Sequence, residues 1–344
     1  MSQHLGRHRA HFQSSAGVIA AATAAGTAGW VAGRARTSEE RHPPSGKFVE
    51  ADGVCMHYVE RGQGDCVVLL HGNAVMARDW ITSPVFRSLA EQRRVVAFDR
   101  PGFGYTTRPR NRVWTPDAQA KLLTEAFAAL GIDRPIVVAH SWATLVAVAL
   151  GLRHASKKLV LVSGYYFPTV RVDALLVAPN ALPVIGDVLR YTVSALLARL
   201  MLRRTIKKMF APDPVPVDYE RLVPRELMLR PVQIRADAEE GTLLVPAAMH
   251  YEDRYSALTV PTEIIAGSED RVCDPGSHSA RLHRVIRGST LRIVPRSGHM
   301  LHHAYGDEII AAVNAGRSEP GRPGGSAEIV NVASEETSAR PPWP

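Results

Sequence analysis

The run Pro135-Ile136-Val137-Val138-Ala139-His140-Ser141-Trp142-Ala143-Thr144 constrains this chain more than any other. An apolar, β-branched run of this kind suits a strand covered on both faces, as in the interior of a parallel sheet. Leu145, Val146, Val148, Ala149, Leu150 and Leu152 then recur at helical spacing. Ser141 therefore stands where a buried strand turns directly into a buried helix. Read plainly, such a serine is a helix N-cap. Two other runs end in polar groups in the same way, and they change that reading. Cys66-Val67-Val68-Leu69-Leu70 leads into His71-Gly72-Asn73, and Val95-Val96-Ala97-Phe98 leads into Asp99-Arg100-Pro101-Gly102-Phe103-Gly104-Tyr105.

The remaining pattern alternates. Phe48-Val49-Glu50 and Cys55-Met56-His57-Tyr58-Val59 flank Asp52-Gly53, a hairpin signal that predicts an antiparallel edge. Further strands are predicted over 158–163, 261–266 and 290–294. Helices are predicted over 85–92, from the Thr115-Pro116-Asp117 cap to Leu130 with closure at Gly131, from Pro275 onward, and over 305–315. The expected class is α/β, a doubly wound and mainly parallel sheet. Residues 47–163 form its first part and 260–315 its second.

Between them, 164–259 lose the alternation and read as an inserted helical cap. Within it, Pro183 to Phe210 carries Val184, Ile185, Val188, Leu189, Leu196, Leu197, Leu200, Met201 and Ile206 interleaved with Arg190, Arg199, Arg203, Arg204, Lys207 and Lys208. The expectation is a lid helix with its apolar face on the core, with a membrane-surface helix as the alternative.

A chain of 344 residues, 46% hydrophobic, is ample for one large α/β domain and a lid. The formal net charge of +8 raises the question of nucleic acid. The basic residues are dispersed, however, and no aromatic-basic motif accompanies them, so no nucleic-acid partner is expected. Cys55, Cys66 and Cys273 are odd in number and show neither a disulfide framework nor metal-ligand spacing, which fits a reducing compartment. No metal and no organic cofactor are expected.

Residues 1–46 form a leader and linker. Ala16 to Gly33 runs eighteen residues without a charge, against the roughly 20 apolar residues that a membrane span needs. A single N-terminal anchor over 16–33 on an otherwise cytoplasmic protein is the expectation, in competition with a signal peptide and a disordered Ala-rich leader. Arg7 and Arg9 precede it and Arg34, Arg36 and Arg41 follow it, so charge does not set an orientation. The tail over 316–344, rich in Pro, Gly, Ser and Glu, is expected to be disordered.

As a set, the His-Gly loop, the Asp-x-x-Gly-x-Gly turn and the strand-Ser-helix junction resemble the α/β-hydrolase superfamily over about Gly46 to Ala315. The resemblance implies that Ser141 lies on a nucleophile elbow, although both glycines of the usual Gly-x-Ser-x-Gly are alanines here, Ala139 and Ala143. It also implies a triad in the order serine, acid, histidine, and Ser141, Asp270 and His299 each follow a predicted strand, at the carboxyl edge of the sheet. Serine needs such a base, and the base needs an acceptor that fixes its tautomer. Asp270 holds the family's position in Gly267-Ser268-Glu269-Asp270. Glu269 and Asp274 are the neighbouring alternatives, read as solvated loop carboxylates. His302 and His303 are expected on the surface of the following helix, and His71 in a structural role.

By the same resemblance, the backbone N–H groups of Asn73 and Trp142 form the oxyanion hole. An Asn and a Trp at similar positions hold halide in haloalkane dehalogenases, but those enzymes use an aspartate nucleophile. Serine attack on an alkyl halide would leave an ether that water does not readily cleave, whereas attack on an acyl carbon leaves an ester that it does. The Ser-Trp pair is also similar to the elbow of proline iminopeptidases. The expectation is a serine hydrolase that cleaves an ester, or secondarily an amide, of a lipophilic small molecule. Its substrate pocket is placed at Tyr165, Tyr166 and Phe167, with Leu189, Leu196 and Met201 from the lid. The alternatives are a non-catalytic binding protein of the same fold, left open by the two alanines, and a peptidase- or dehalogenase-like relative with different chemistry.

Overall fold

The structure is a computed structural model that describes residues 2–169 and 176–316, with side chains from residue 18 onward. Of the predicted tail over 316–344, residues 317–344 lie outside the described residues. Eight strands form one sheet in the order β1-β2-β4-β3-β5-β6-β7-β8. They are β1 (Lys47–Ala51), β2 (Val54–Arg61), β3 (Cys66–Leu70), β4 (Arg94–Phe98), β5 (Ile136–His140), β6 (Lys158–Val162), β7 (Thr262–Gly267) and β8 (Thr290–Val294). The pairings β1–β2 and β2–β4 are antiparallel, and the rest are parallel. The β1–β2 hairpin turns at Asp52-Gly53 with φ of 46° and 71°, the two positive values that a tight hairpin turn demands.

The central parallel strands β3, β4 and β5 are nearly continuous apolar runs because both faces are covered. Val68, Leu70, Val96, Phe98, Val137 and Ala139 pack toward α4 (Pro116–Ala129) and α5 (Ala143–Leu152). The alternate residues Val67, Leu69, Val95, Ala97, Ile136 and Val138 pack toward α2 (Ala77–Ile81) and α3 (Pro84–Ala90). The start of α4 is set by Thr115, whose hydroxyl accepts the Ala118 N–H at 3.2 Å, and by Pro116 at its first position.

Between β6 and β7 the described residues are helical: α6 (Ile185–Tyr191), α7 (Val193–Phe210), α8 (Tyr219–Leu222), α9 (Arg225–Met228) and α10 (Pro231–Glu252). The single helix expected over Pro183 to Phe210 is broken at Thr192, where φ is −128° and ψ is −104°. A larger correction concerns its apolar face. Only a stripe of Ala195, Leu202, Ile206 and Phe210 is buried, while Val184, Ile185, Val188, Leu196, Leu197, Leu200 and Met201 are exposed. The helix is apolar around more of its circumference than one packing stripe covers, so the lid's apolar residues do not all face the core.

After β7 and β8 come α11 (Arg281–Val285), α12 (Leu301–Ala304) and α13 (Gly306–Asn314). The leader is helical as α1 (Ser2–Arg41) and packs against α6 and α9. Trp30 lies between the guanidinium groups of Arg34 and Arg199, at 5.7 and 5.1 Å from its ring. Both arginines bond to Glu226, at 2.9 and 2.6 Å. Val31 and Ser38 are buried, and Glu39 pairs with Arg230 at 2.8 Å. Among the described residues no helix is long and apolar enough to cross a membrane. The expectation of a spanning segment over 16–33 therefore finds no support: its Ala, Gly and Thr are too weakly apolar.

Glu226 is the carboxylate that ties α1 to the cap. Hydrogen bonding from Arg199 pulls its pKa from 4.5 to about 2, against an opposing push from burial and with help from Arg34. A depressed carboxylate stabilises the folded form above the ordinary pKa and loses that contribution as pH falls from about 4.5 toward 2. Acidification through this window, or Glu226→Gln at neutral pH, should lower the hydrogen-exchange protection factors of 30–41 severalfold. Unchanged protection in Glu226→Gln would show that Trp30 and Val31 hold the helix alone.

Candidate active site

Ser141 sits between β5 and α5 with φ of 56°, a left-handed backbone that costs a non-glycine residue on the order of 1–2 kcal/mol. The neighbours hold it there. Its N–H donates to Val162 O at 2.9 Å, and its carbonyl accepts from the Thr144 N–H at 3.1 Å and from the Thr144 hydroxyl at 2.6 Å. The glycine that makes room is on the facing loop. A Cβ on Gly72 would lie 3.0 Å from Ser141 Cβ and 3.1 Å from His140 Nδ1, so a residue without a side chain is what lets this loop approach the elbow.

Asp270 follows β7 and His299 follows β8, and the fold brings both to Ser141. His299 Nδ1 lies 2.8 Å from Asp270 Oδ2, and His299 Nε2 lies 2.9 Å from Ser141 Oγ. A ring nitrogen facing a carboxylate carries the proton, which leaves Nε2 as the acceptor for the serine hydroxyl. The other oxygen of Asp270 accepts from the N–H groups of Val272 and Cys273 at 2.8 and 2.9 Å, which fixes the carboxylate plane. Glu269 and Asp274 are exposed, in keeping with their reading as loop carboxylates. Among the described residues, none accepts the backbone N–H of Asn73 or of Trp142.

The largest feature that sequence reasoning missed lies beneath these two N–H groups. Arg100 is fully buried, and all five of its guanidinium N–H groups are used. They donate to His71 O at 2.7 Å, Gly72 O at 3.0 Å, Asn73 Oδ1 at 3.0 Å, Glu240 Oε2 at 2.6 Å and Gln119 Oε1 at 3.3 Å. The same guanidinium stacks on Trp142 at 4.9 Å and on Phe103 at 4.8 Å. Glu240 comes from α10 of the cap, and its carbonyl accepts the Trp142 indole N–H at 3.0 Å. Arg100 thereby braces the His71-Gly72-Asn73 loop against both the elbow and the cap. His71 completes the brace: Nδ1–H donates to Gly72 O and Nε2 accepts the Arg100 N–H. Burial, helped by the Arg100 charge, lowers its pKa to about 3, so it is neutral. Arg100 was visible inside the Asp-Arg-Pro-Gly-Phe-Gly turn, but Glu240 reads locally as part of a solvated charged face.

His302 and His303 are not surface residues. The short α12 turns both onto Asp79 of α2, His302 Nε2 at 2.8 Å from Oδ2 and His303 Nε2 at 2.9 Å from Oδ1. Tyr219 of the cap donates its hydroxyl to Asp79 at 2.9 Å. The His302 ring lies 4.8 Å from that of His140, which lies 4.6 Å from that of His299. His140 Nε2–H donates to the His299 carbonyl at 2.9 Å, and burial holds His140 well below its ordinary pKa. Asp79, His302 and His303 have the composition of a metal-binding group, but Asp79 already accepts three hydrogen bonds, which accounts for all three residues without an ion.

Tyr165, Tyr166 and Phe167 follow β6 and are fully buried. Tyr165 packs on His278 at 4.5 Å, Tyr255 donates its hydroxyl to Tyr166 O at 2.5 Å, and Phe167 lies under Arg281 at 3.9 Å. A cavity of ≈ 560 Å³ opens elsewhere, between Arg112, Trp114, Leu182, Arg190, Arg235 and Leu243, and the three aromatics are not in its lining. Leu196 and Met201 are exposed, so they do not line a pocket as expected.

An eight-stranded sheet with the elbow on β5 and a serine–histidine–aspartate set at its carboxyl edge is the arrangement of the alpha/beta hydrolases. The model of the alpha/beta hydrolase family matches residues 67–312, and the chain belongs to that family. Haloalkane dehalogenase 2 of Mycobacterium tuberculosis is 24% identical over 79% of this chain and 94% of its own length. The 2-hydroxy-6-oxo-2,4-heptadienoate hydrolase of Pseudomonas putida is 28% identical over 78% of this chain and 95% of its own. Among solved structures, a membrane phospholipase A superposes with a TM-score of 0.62 at 21% identity, covering 93% of this chain and all of that one.

Replacing Arg100 with Met would strip the Glu240 carboxylate, which is 0% exposed, of its closest partner. Breaking a buried pair from one side commonly costs about 3–5 kcal/mol. Urea unfolding should show Arg100→Met destabilised by about that much, and a loss under about 1 kcal/mol would mean that Arg108 and Gln119 suffice for Glu240.

Proposed function

We propose that this alpha/beta hydrolase is a serine hydrolase that cleaves an ester bond, and secondarily an amide, of a lipophilic acyl compound through an acyl-enzyme. The observation that carries this reading is the continuous hydrogen-bonded line from Asp270 through His299 to Ser141 Oγ, at 2.8 and 2.9 Å. In the first half-reaction Ser141 Oγ attacks the acyl carbon while His299 Nε2 takes its proton. Asp270 holds the Nδ1–H and faces the imidazolium that forms. The oxyanion is met by the N–H groups of Asn73 and Trp142, and losing one such donor commonly costs about 3 kcal/mol. His299 returns the proton to the leaving group. Water then repeats the sequence on the acyl-enzyme, releasing the acid and restoring Ser141.

The dehalogenase name of one relative does not transfer by this logic, because a serine ether is not readily hydrolysed. The lipophilic preference is supported by what flanks the reacting groups. Val75 and Met76, just past Asn73, and Met300, next to His299, belong to an apolar cluster shared with the cap residues Leu202, Ile206 and Phe210.

A fluorophosphonate probe should label the wild type and leave Ser141→Ala unlabelled. Absence of labelling in the wild type, or equal labelling of both, sinks the reading in favour of a binding protein. His299→Gln should lower the turnover of p-nitrophenyl esters by several orders of magnitude while leaving the unfolding midpoint within the wild-type range. Across esters of rising chain length, kcat/KM should rise past acetate, and a preference for acetate would count against the lipophilic pocket.

A further inference from the structure

Large apolar side chains are exposed unevenly on this molecule. Val184, Ile185, Val188, Leu197, Leu200 and Met201 are each more than half exposed, and all six fall on α6, α7 or the residue before them. Their arrangement on α7 is ordered. Leu197, Leu200, Met201, Arg204 and Lys208 recur at spacings of three and four, so they form one ridge. At 100° per residue that ridge lies opposite the buried stripe of Ala195, Leu202 and Ile206. The outward ridge is therefore apolar in the first half of the helix and cationic in the second. Arg204, Lys207 and Lys208 are exposed and, among the described residues, have no acidic partner. The leader helix α1 packs on α6, and Val18 and Ile19 are exposed on its uncharged stretch.

A concentration of this kind marks an interaction surface in a water-facing protein. We propose that the outer face of α6 and α7 docks in the plane of a bilayer that contains anionic phospholipid. Apolar residues enter the acyl boundary, and Arg204, Lys207 and Lys208 meet the phosphates. Charge selects lipid over a second copy of this chain. The sole carboxylate on α6 and α7, Asp187, is held by Arg110 and Arg190, so a facing copy brings further cations and no free acid to neutralise them. The surface requires no spanning helix, and it stands independently of the chemistry proposed at Ser141.

Co-sedimentation of the full-length protein with vesicles of phosphatidylcholine, alone or mixed with phosphatidylglycerol, tests this. The wild type should pellet with the mixed vesicles and be released by salt. The double variant Leu200→Glu/Met201→Glu should lose about tenfold in bound fraction, and Lys207→Glu/Lys208→Glu should lose the preference for phosphatidylglycerol. Both should keep p-nitrophenyl butyrate turnover within the wild-type range. A wild type that stays in the supernatant with both lipids, or lysine variants that keep the full lipid preference, overturns the proposal. A dimer in light scattering that the Leu200→Glu/Met201→Glu change dissolves, without vesicle binding by the wild type, would assign the face to a second copy instead.

Discussion

The pairing of Arg100 with Glu240 is the contact on which the site depends. One guanidinium ties the carbonyls of His71 and Gly72, the Asn73 side chain, the Trp142 ring and a carboxylate from the cap into one dry unit. Burying two charges is costly unless every donor and acceptor is matched, and here every guanidinium N–H is. The result is a loop and an elbow whose backbone N–H groups are held in place before any substrate arrives. Preorganisation of that kind is what makes an oxyanion hole effective, since no dipole has to reorient during reaction.

Close packing at the elbow is also met from across the loop. A tight strand-to-helix turn needs close approach on the nucleophile's side, and glycines flanking the serine usually provide it. In this chain Gly72, across the loop, takes the position where a side chain would collide with Ser141 and His140. Gly104 does comparable work in the next loop: its φ is 51°, and a Cβ there would overlap the Asp99 carboxylate. That carboxylate is in turn fixed by the N–H groups of Ala77 and Tyr105 and by His57.

The sheet was legible in the sequence because its strands are short β-branched runs that end in polar turns, and the Asp52-Gly53 hairpin carries its own backbone requirement. The residues of the candidate site were legible because Ser141, Asp270 and His299 each follow such a run, in a family order. What was not legible depends on contacts between distant segments. Glu240 looks like a solvated charge until Arg100, 140 residues earlier, is placed beside it. His302 and His303 look like an exposed pair until Asp79 is seen to receive both. The cap failed for a different reason: periodicity identifies an apolar face but not what covers it, and the outer apolar face of α7 is exposed among the described residues.

The fastening of α10 to the loop before the elbow also limits how this molecule can admit a ligand. A lid that swung away as one body would have to separate Arg100 and Arg108 from Glu240 inside a dry interior. At about 3–5 kcal/mol for exposing one side of such a pair, the open form would amount to between about one molecule in 150 and one in 5,000. Passage to Ser141 by that route would be gated and slow. The other part of the cap, α6 and α7, is broken at Thr192, and it too is fastened by ion pairs, Asp187 to Arg110 and Arg199 to Glu226.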